Sequence, residues 1–85
     1  MPQIPETEIW NRMTEVFRRV FRKPELQVGP QTSSWDIPGW DSIAHLQLIL
    51  GVEKEFGIRF EIREIAGIES AGELADRIAS KSTPA

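Results

Sequence analysis

A proline–glycine turn followed directly by a helix start stands in the middle of this 85-residue chain. In residues 37–40, proline fixes φ at the second position and glycine permits a positive φ at the third, which is the pattern of a type II turn. Asp41 follows where an N-cap belongs, and about fifteen residues of helix-forming sequence come next. The Ser42 hydroxyl is therefore predicted at the positive end of a helix, exposed at the mouth of a loop.

Two interpretations of Ser42 follow from this position. Asp41 and Ser42 can be capping residues only, as at many helix starts. Alternatively, a phosphate esterified to Ser42 would meet free backbone N–H groups and a favourable helix dipole. The residues by themselves leave both interpretations open.

A longer pattern surrounds this serine. It comprises Trp40-Asp41-Ser42-Ile43, Leu46, Leu48-Ile49-Leu50, Val52-Glu53, Glu55-Phe56-Gly57-Ile58 and, in register, Ile68-Glu69-Ser70-Ala71-Gly72-Glu73-Leu74. The pattern covers most of the chain and resembles the phosphopantetheine-attachment signature of acyl carrier proteins. In that family an Asp-Ser-Leu opens the second helix, which ends in an acidic pair, a Phe and a glycine or similar breaker.

The resemblance implies both a fold and a function. The fold would be all-α: a four-helix acyl-carrier-type bundle with a short third helix and a long loop between helices 1 and 2. One carrier domain would span residues 1–85, with its core at about 6–80 and frayed termini. A separate transferase would move 4′-phosphopantetheine from coenzyme A onto Ser42, beside the helix cap Asp41. Acyl cargo would ride as a thioester on the arm's thiol, and the chain itself would not be an enzyme.

The resemblance also implies partners: the phosphopantetheinyl transferase, and acyl-loading and acyl-processing enzymes of fatty-acid, polyketide or related biosynthesis. The residues expected to meet them are Trp40, Ile43, His45, Leu46, Gln47 and Glu53. For Trp40, packing under the loop is the favoured alternative to a partner contact. His45 is expected to face solvent or a partner. A base role toward Ser42 is not favoured, because a triad also needs an orienting third group and an oxyanion site.

Helix 2 departs from the family in its charge. Fatty-acid carriers typically line this helix with acids, whereas here Ala44 and Gln47 replace them and Lys54 interrupts the Glu53/Glu55 pair. Exposed ion pairs are individually worth about 0–1 kcal/mol, so their loss would weaken a generic partner without abolishing binding. The motif Trp-Asp-Ser-Ile-x-His-Leu at residues 40–46 resembles the corresponding segment of free-standing carriers of specialised pathways.

Two other function classes remain open. A peptidyl carrier shares the fold but usually has Gly-Gly-x-Ser before the helix, and Trp40-Asp41 argues against it. An unmodified helical interaction domain is the second alternative. Measurement of the intact mass after co-expression with a broad transferase separates that domain from both kinds of carrier.

The composition limits the remaining possibilities. A chain of this length makes one small domain, and the absence of cysteine excludes disulfides and thiolate metal sites. A single histidine excludes a multi-histidine metal site, and a net charge of −3 argues against nucleic acid. No signal peptide or membrane-spanning run is evident, so a cytoplasmic location is expected. The chain is also expected to be a monomer.

The flanking elements are predicted from periodicity. The first helix carries an apolar face of Ile9, Met13, Val16, Phe17, Val20 and Phe21, and stops at Pro24. In the following loop we expect Leu26, Val28, Trp35 and Ile37 to pack on the core. In the second helix, Ser42 to Phe56, one face is formed by Leu46, Ile49, Leu50 and Phe56.

The last third of the chain is predicted as a loop and two helices. Residues 58–62 alternate like a strand but have no partner strand, so we interpret them as a loop that buries Ile58 and Phe60. A short helix from about Ile62 to Ala66 would end at Gly67. A Ser70/Glu73 capping box would start the last helix, with Leu74, Ala75 and Ile78 inward and fraying from Ser80.

Overall fold

Four α-helices make up most of the chain in a computed structural model that describes residues 4–81: α1 (Glu6–Phe21), α2 (Ser42–Phe56), α3 (Ile62–Gly67) and α4 (Ala71–Lys81). Within this range the only β-type pairing is one antiparallel bridge between Ser33 and Ser70. The predicted all-α fold, with its short third helix and long first loop, is confirmed. Fraying from Ser80 is wrong for Ser80 and Lys81, which continue α4, and residues 1–3 and 82–85 lie outside the described range.

Helices α1 and α2 run antiparallel. Arg12 in the first half of α1 bonds Glu55 at the end of α2, with 2.9 Å between Nε and Oε2, whereas Phe17 and Phe21 in the second half contact Trp40 before α2. The two helices approach closely where a Cβ on Gly51 would lie 2.8 Å from Val16 Cγ1. The predicted inner face of α1 is correct. Four of its residues are buried, namely Ile9, Met13, Val16 and Phe17, and Val20 and Phe21 are partly buried.

The face of α2 that packs is not the predicted apolar face as a whole. Of the residues on that face, Leu46 and Leu50 are 49% and 54% exposed. The buried residues of α2 are Leu48, Ile49 and Val52. Because α2 is apolar around most of its circumference, periodicity did not define a single inner face. The contact with α1 at Gly51 selects the side that packs.

The long loop between α1 and α2 is held against the start of α4. The amide of Ala71 donates to the carbonyl of Thr32 at 2.8 Å, and that of Gly72 donates to Pro30 at 3.1 Å. These bonds satisfy N–H groups that a helix start leaves without intrahelical partners. Of the four loop residues predicted to pack, three do: Ile37 is buried, and Leu26 and Val28 are partly buried.

Trp35 is the exception in this loop. Its side chain is 96% exposed, so the prediction that it packs on the core is wrong. It stands on a tight turn in which Asp36 Oδ2 accepts from the amide of Ser33 at 2.9 Å. This turn directs the polypeptide back toward the core only at Ile37, two residues later.

The segment after α2 confirms the loop and short helix. Phe60 is buried and Ile58 partly buried, as expected. Helix α3 has no buried residue, and it begins with a Glu61/Glu64 capping box that the sequence analysis missed.

Helix α4 begins at the predicted cap. The amide of Glu73 donates to Ser70 Oγ at 3.2 Å, while the Glu73 carboxylate accepts from the amide of Glu69 rather than from that of Ser70. The inward residues Leu74, Ala75 and Ile78 are buried as predicted. None of the helices described is long and apolar enough to cross a membrane.

Candidate functional site

The turn before α2 has the predicted geometry. Gly39 has a φ of 91°, and the amide of Trp40 donates to the carbonyl of Ile37 at 3.2 Å. Asp41 then caps α2, because its Oδ1 accepts from the amide of Ala44 at 2.8 Å. Ser42 is the first residue of the helix and is exposed.

The start of α2 has unused donors. In the described part of the chain, the amides of Ser42 and Ile43 have no hydrogen-bond acceptor, whereas those of Ala44 and His45 donate to Asp41. Free amides and the helix dipole together favour an anion at this position. A phosphodiester on Ser42 would therefore meet two donors that have no other role.

Ser42 borders an open depression of about 240 Å³ in which three parts of the chain meet. The first loop, the first turn of α2 and the segment from the end of α3 to the start of α4 contribute its lining, namely Ser34, Trp40, Asp41, Ser42, His45, Ala66, Ile68 and Glu69. No group of three or more His, Asp or Glu residues within residues 4–81 is placed to hold a metal ion. The exposed hydroxyl, the free amides and the adjoining depression fit a phosphopantetheine arm attached at Ser42.

Trp40 packs under the loop. Its ring meets Phe17 edge-on, with centroids 5.5 Å apart, and lies 5.9 Å from the ring of Phe21. It is only 9% exposed, so the packing interpretation is correct and the indole is not presented to a partner. Its one polar atom, Nε1, donates to His45 Nδ1 at 3.0 Å.

His45 is partly buried rather than fully solvent-facing, and its Nε2 lies 2.8 Å from the carbonyl oxygen of Ile65 in α3. The alternative that it contacts a partner stays a prediction. Both ring nitrogens thus have partners other than Ser42. This arrangement gives no support for a base role toward the serine hydroxyl.

The exposed apolar residues beside the site form a stripe along α2. Ile43 is 70% exposed, and Leu46 and Leu50 lie three and seven positions further on, which is one helical face. Gln47 is exposed next to them. Ile43, Leu46 and Gln47 are therefore accessible, as a partner-contact role requires. Leu50 was not among the predicted partner contacts, although its spacing from Ile43 could have revealed that it shares their face.

The acids at the end of α2 are engaged within the molecule. Glu53, predicted to meet partners, is partly buried, and its Oε2 accepts from the amide of Phe60 at 2.7 Å. Glu55 accepts from Arg12, and chiefly this hydrogen bond raises the pKa of the Arg12 guanidinium. The acidic character expected near the site is thus used to join α2 to the following loop and to α1.

Comparison with known proteins places this geometry in a family. Residues 11–78 match the family model described as "Phosphopantetheine attachment site". The chain is 26% identical over 82 residues to an acyl carrier protein of Acidothermus cellulolyticus. This alignment covers 96% of this chain and 98% of the relative. A solution NMR structure of holo acyl carrier protein from Geobacter metallireducens superposes with a TM-score of 0.79 at 33% identity, covering 85% of this chain and 83% of that one.

The matched region runs from the first turns of α1 into α4 and so includes the whole site around Ser42. The NMR relative is described as a holo protein. These comparisons assign a covalently attached 4′-phosphopantetheine as the cofactor, and the residues around the depression fit this group. The chain therefore belongs to the acyl carrier proteins of the phosphopantetheine-attachment family.

Proposed function

We propose that Ser42 is the attachment site and that the chain carries acyl intermediates to partner enzymes of fatty-acid, polyketide or related biosynthesis. The observation that carries this proposal is the position of Ser42. It is an exposed hydroxyl at the first residue of a capped helix, beside two amides that have no acceptor in the described structure. A peptidyl carrier with aminoacyl cargo, and an unmodified interaction domain, are the alternatives that experiment has to separate.

Attachment requires little chemistry from this chain. The Ser42 Oγ would form a bond to the β-phosphorus of coenzyme A, the pyrophosphate P–O bond would break, adenosine 3′,5′-bisphosphate would leave, and a base of the transferase would take the hydroxyl proton. The arm would then supply the thiol for thioesters, which this cysteine-free chain lacks. The chain's own contribution is to present the hydroxyl and to place helix-terminal donors beside the phosphate.

Partners would dock on the apolar stripe defined above, Ile43, Leu46 and Leu50. Burial of exposed apolar surface supplies non-specific affinity, and the surrounding charge then selects among partners. Around this stripe the usual acids are few, because Ala44 and Gln47 are uncharged and the Glu53 carboxylate is engaged internally. We therefore propose dedicated partners rather than the housekeeping fatty-acid enzymes. The cytoplasmic location, the monomeric state and the absence of catalysis stay predictions.

The experiment is covalent loading in vitro. Incubation with coenzyme A, magnesium and a broad-specificity transferase should add one phosphopantetheinyl group to the wild type, as measured by intact-mass spectrometry. Ser42→Ala should gain no mass while keeping its helical circular dichroism spectrum. Ser34→Ala is the matched control, because Ser34 lines the same depression and is also exposed.

The two variants must behave differently for the proposal to stand. It fails if Ser42→Ala is still modified, or if Ser34→Ala loses the modification instead. No modification of the wild type would favour the unmodified interaction domain. A holo protein that is charged by amino-acid-activating enzymes, and by no acyl-loading enzyme, would favour the peptidyl carrier.

A further inference from the structure

We propose that His45 is a positioning residue that holds α3 beside Ser42 in its neutral form and releases it when protonated. The proposal starts from the donor on Trp40. An indole Nε1–H can only donate, so His45 Nδ1 at 3.0 Å must accept and cannot carry a hydrogen. The remaining hydrogen of a neutral ring is then on Nε2, where it can donate to the carbonyl of Ile65 at 2.8 Å. The contacts select one tautomer of the neutral imidazole.

The ring joins three elements that are far apart in the chain. Trp40 ends the first loop, His45 lies in the first turn of α2, and Ile65 lies in α3. Trp40 is itself held by Phe17 and Phe21 of α1, so it is a fixed support for the ring. Through this series of contacts, α3 is positioned relative to the start of α2.

Helix α3 depends on such polar contacts. It has six residues and none of them is fully buried; Ile65 is its one residue partly buried against the core, so its apolar anchoring is limited. On the α4 side Glu64 pairs with Arg77 and Lys81. On the α2 side His45, three residues after Ser42, bonds the carbonyl of Ile65. Ala66, the residue after Ile65, forms part of the wall of the depression.

Protonation would break this arrangement. A hydrogen on Nδ1 would point at the Trp40 N–H, so two donors would face each other across 3.0 Å. The charged groups that line the same depression are Asp41 of the α2 cap and Glu69 before α4, and among the described residues α1 contributes none to this lining. A charged ring would be drawn toward these two carboxylates and away from Trp40. That movement would take Nε2 away from the carbonyl of Ile65, and the α3 wall of the depression would lose this bond.

Glutamine at this position separates the hydrogen bonds from the charge. In His45→Gln the side-chain oxygen can accept from Trp40 and the amide can donate to Ile65, but the group does not titrate. His45→Leu removes both hydrogen bonds and serves as the reference for a protein in which α3 is not held by residue 45. Both variants are compared with the wild type between about pH 8 and about pH 5, the range in which histidine side chains change charge.

The first measurement is NMR of the unmodified protein. At high pH the ring ¹⁵N shifts should report a hydrogen on Nε2 and none on Nδ1. On acidification, the protection of the α3 amides against exchange should fall about tenfold in the wild type, as expected for the loss of one hydrogen bond. It should stay constant in His45→Gln and be low throughout in His45→Leu. A hydrogen on Nδ1 at high pH, or an equal response of wild type and His45→Gln, would overturn the proposal.

The second measurement is the rate of phosphopantetheine transfer to Ser42, and it rests on the proposed function. The ratio of wild-type to His45→Gln rates cancels the pH dependence of the transferase. This ratio should fall on acidification relative to its value at high pH, with kcat more affected than KM because the position of Ser42 is what changes. A constant ratio would show that His45 does not position the site. If Ser42 is not modified at all, the proposed function fails, while the NMR experiment still tests His45.

Discussion

Arg22 illustrates how one residue carries a conformational cost. It ends α1 with a φ of 56°, and it is the only non-glycine residue with a positive φ among residues 4–81. Glycine is the residue that helices commonly place at this position, because a Cβ is disfavoured there. Gly57 fills the equivalent position after α2 with a φ of 67°.

The substitution Arg22→Gly should therefore stabilise the fold. Relief of the left-handed strain outweighs the loss of a cation near a helix C-terminus, and we expect a net gain of about 0.5–1 kcal/mol in the free energy of unfolding. Urea denaturation monitored by circular dichroism measures it. Gly57→Ala is the reverse control and should lose about 1 kcal/mol. An unchanged or lower stability of Arg22→Gly would show that the Arg22 side chain makes compensating interactions.

At the scale of elements, α3 is held mainly by side chains from its neighbours. Glu64 accepts from the amide of Glu61 and pairs with Lys81 and Arg77. The hydrogen bond from Glu61 and then that from Lys81 lower the pKa of the Glu64 carboxyl from its ordinary value of 4.5. Glu64 thus connects α3 to α4, while the carbonyl of Ile65 connects it to His45 of α2.

This lowered pKa predicts an acid sensitivity. Because the carboxylate is the form that binds, its stabilisation is fully present above pH 4.5 and is lost as the pH falls through the lower folded pKa. Thermal unfolding across this range should show a steeper loss of Tm in the wild type than in Glu64→Gln. Glu25→Gln is the control, since Glu25 is exposed and has no ion pair in the described part of the chain. Equal slopes for all three proteins would contradict the role of Glu64.

At the scale of the whole molecule, charge is distributed unevenly around the apolar stripe of α2. The exposed cations Arg19, Arg22 and Lys23 follow one another at the end of α1, and the contacts of Phe17 and Phe21 with Trp40 place this end beside the start of α2. The start of α2 itself has Asp41 as its only acid. A partner with a basic docking patch would gain little attraction from this surface, since steering depends on complementary charge.

Restoring acids should therefore recruit a housekeeping enzyme. Ala44→Asp with Gln47→Glu leaves Ser42 and the apolar stripe unchanged, and it should raise the rate of loading of the holo protein by a fatty-acid-type malonyl transferase. The gain should be largest at low ionic strength, where screening is weak. Thr7→Asp with Asn11→Glu adds the same charge to exposed positions of α1 and should have no effect. The idea of dedicated partners fails if the wild type is already loaded as fast as an ordinary fatty-acid carrier at both low and high salt.

Local chemistry allowed the sequence by itself to determine the start of α2 and the family. Pro38 and Gly39 restrict the backbone to one turn, and Asp41 bonds an amide three residues away. All of these interactions lie within a few residues of Ser42. The Ser70 cap is likewise formed with neighbours close in sequence. The apolar period of α1 can be recognised within residues 9–21 alone.

Only the tertiary structure decided the roles of Trp35, His45, Glu53 and the inner face of α2. The acceptor for His45 Nε2 is 20 residues away, and Glu53 bonds an amide beyond the end of its own helix. Which side of α2 packs was set by its approach to Val16 at Gly51. Side-chain burial and hydrogen bonding depend on neighbours brought together by folding, and periodicity along one helix does not contain their positions.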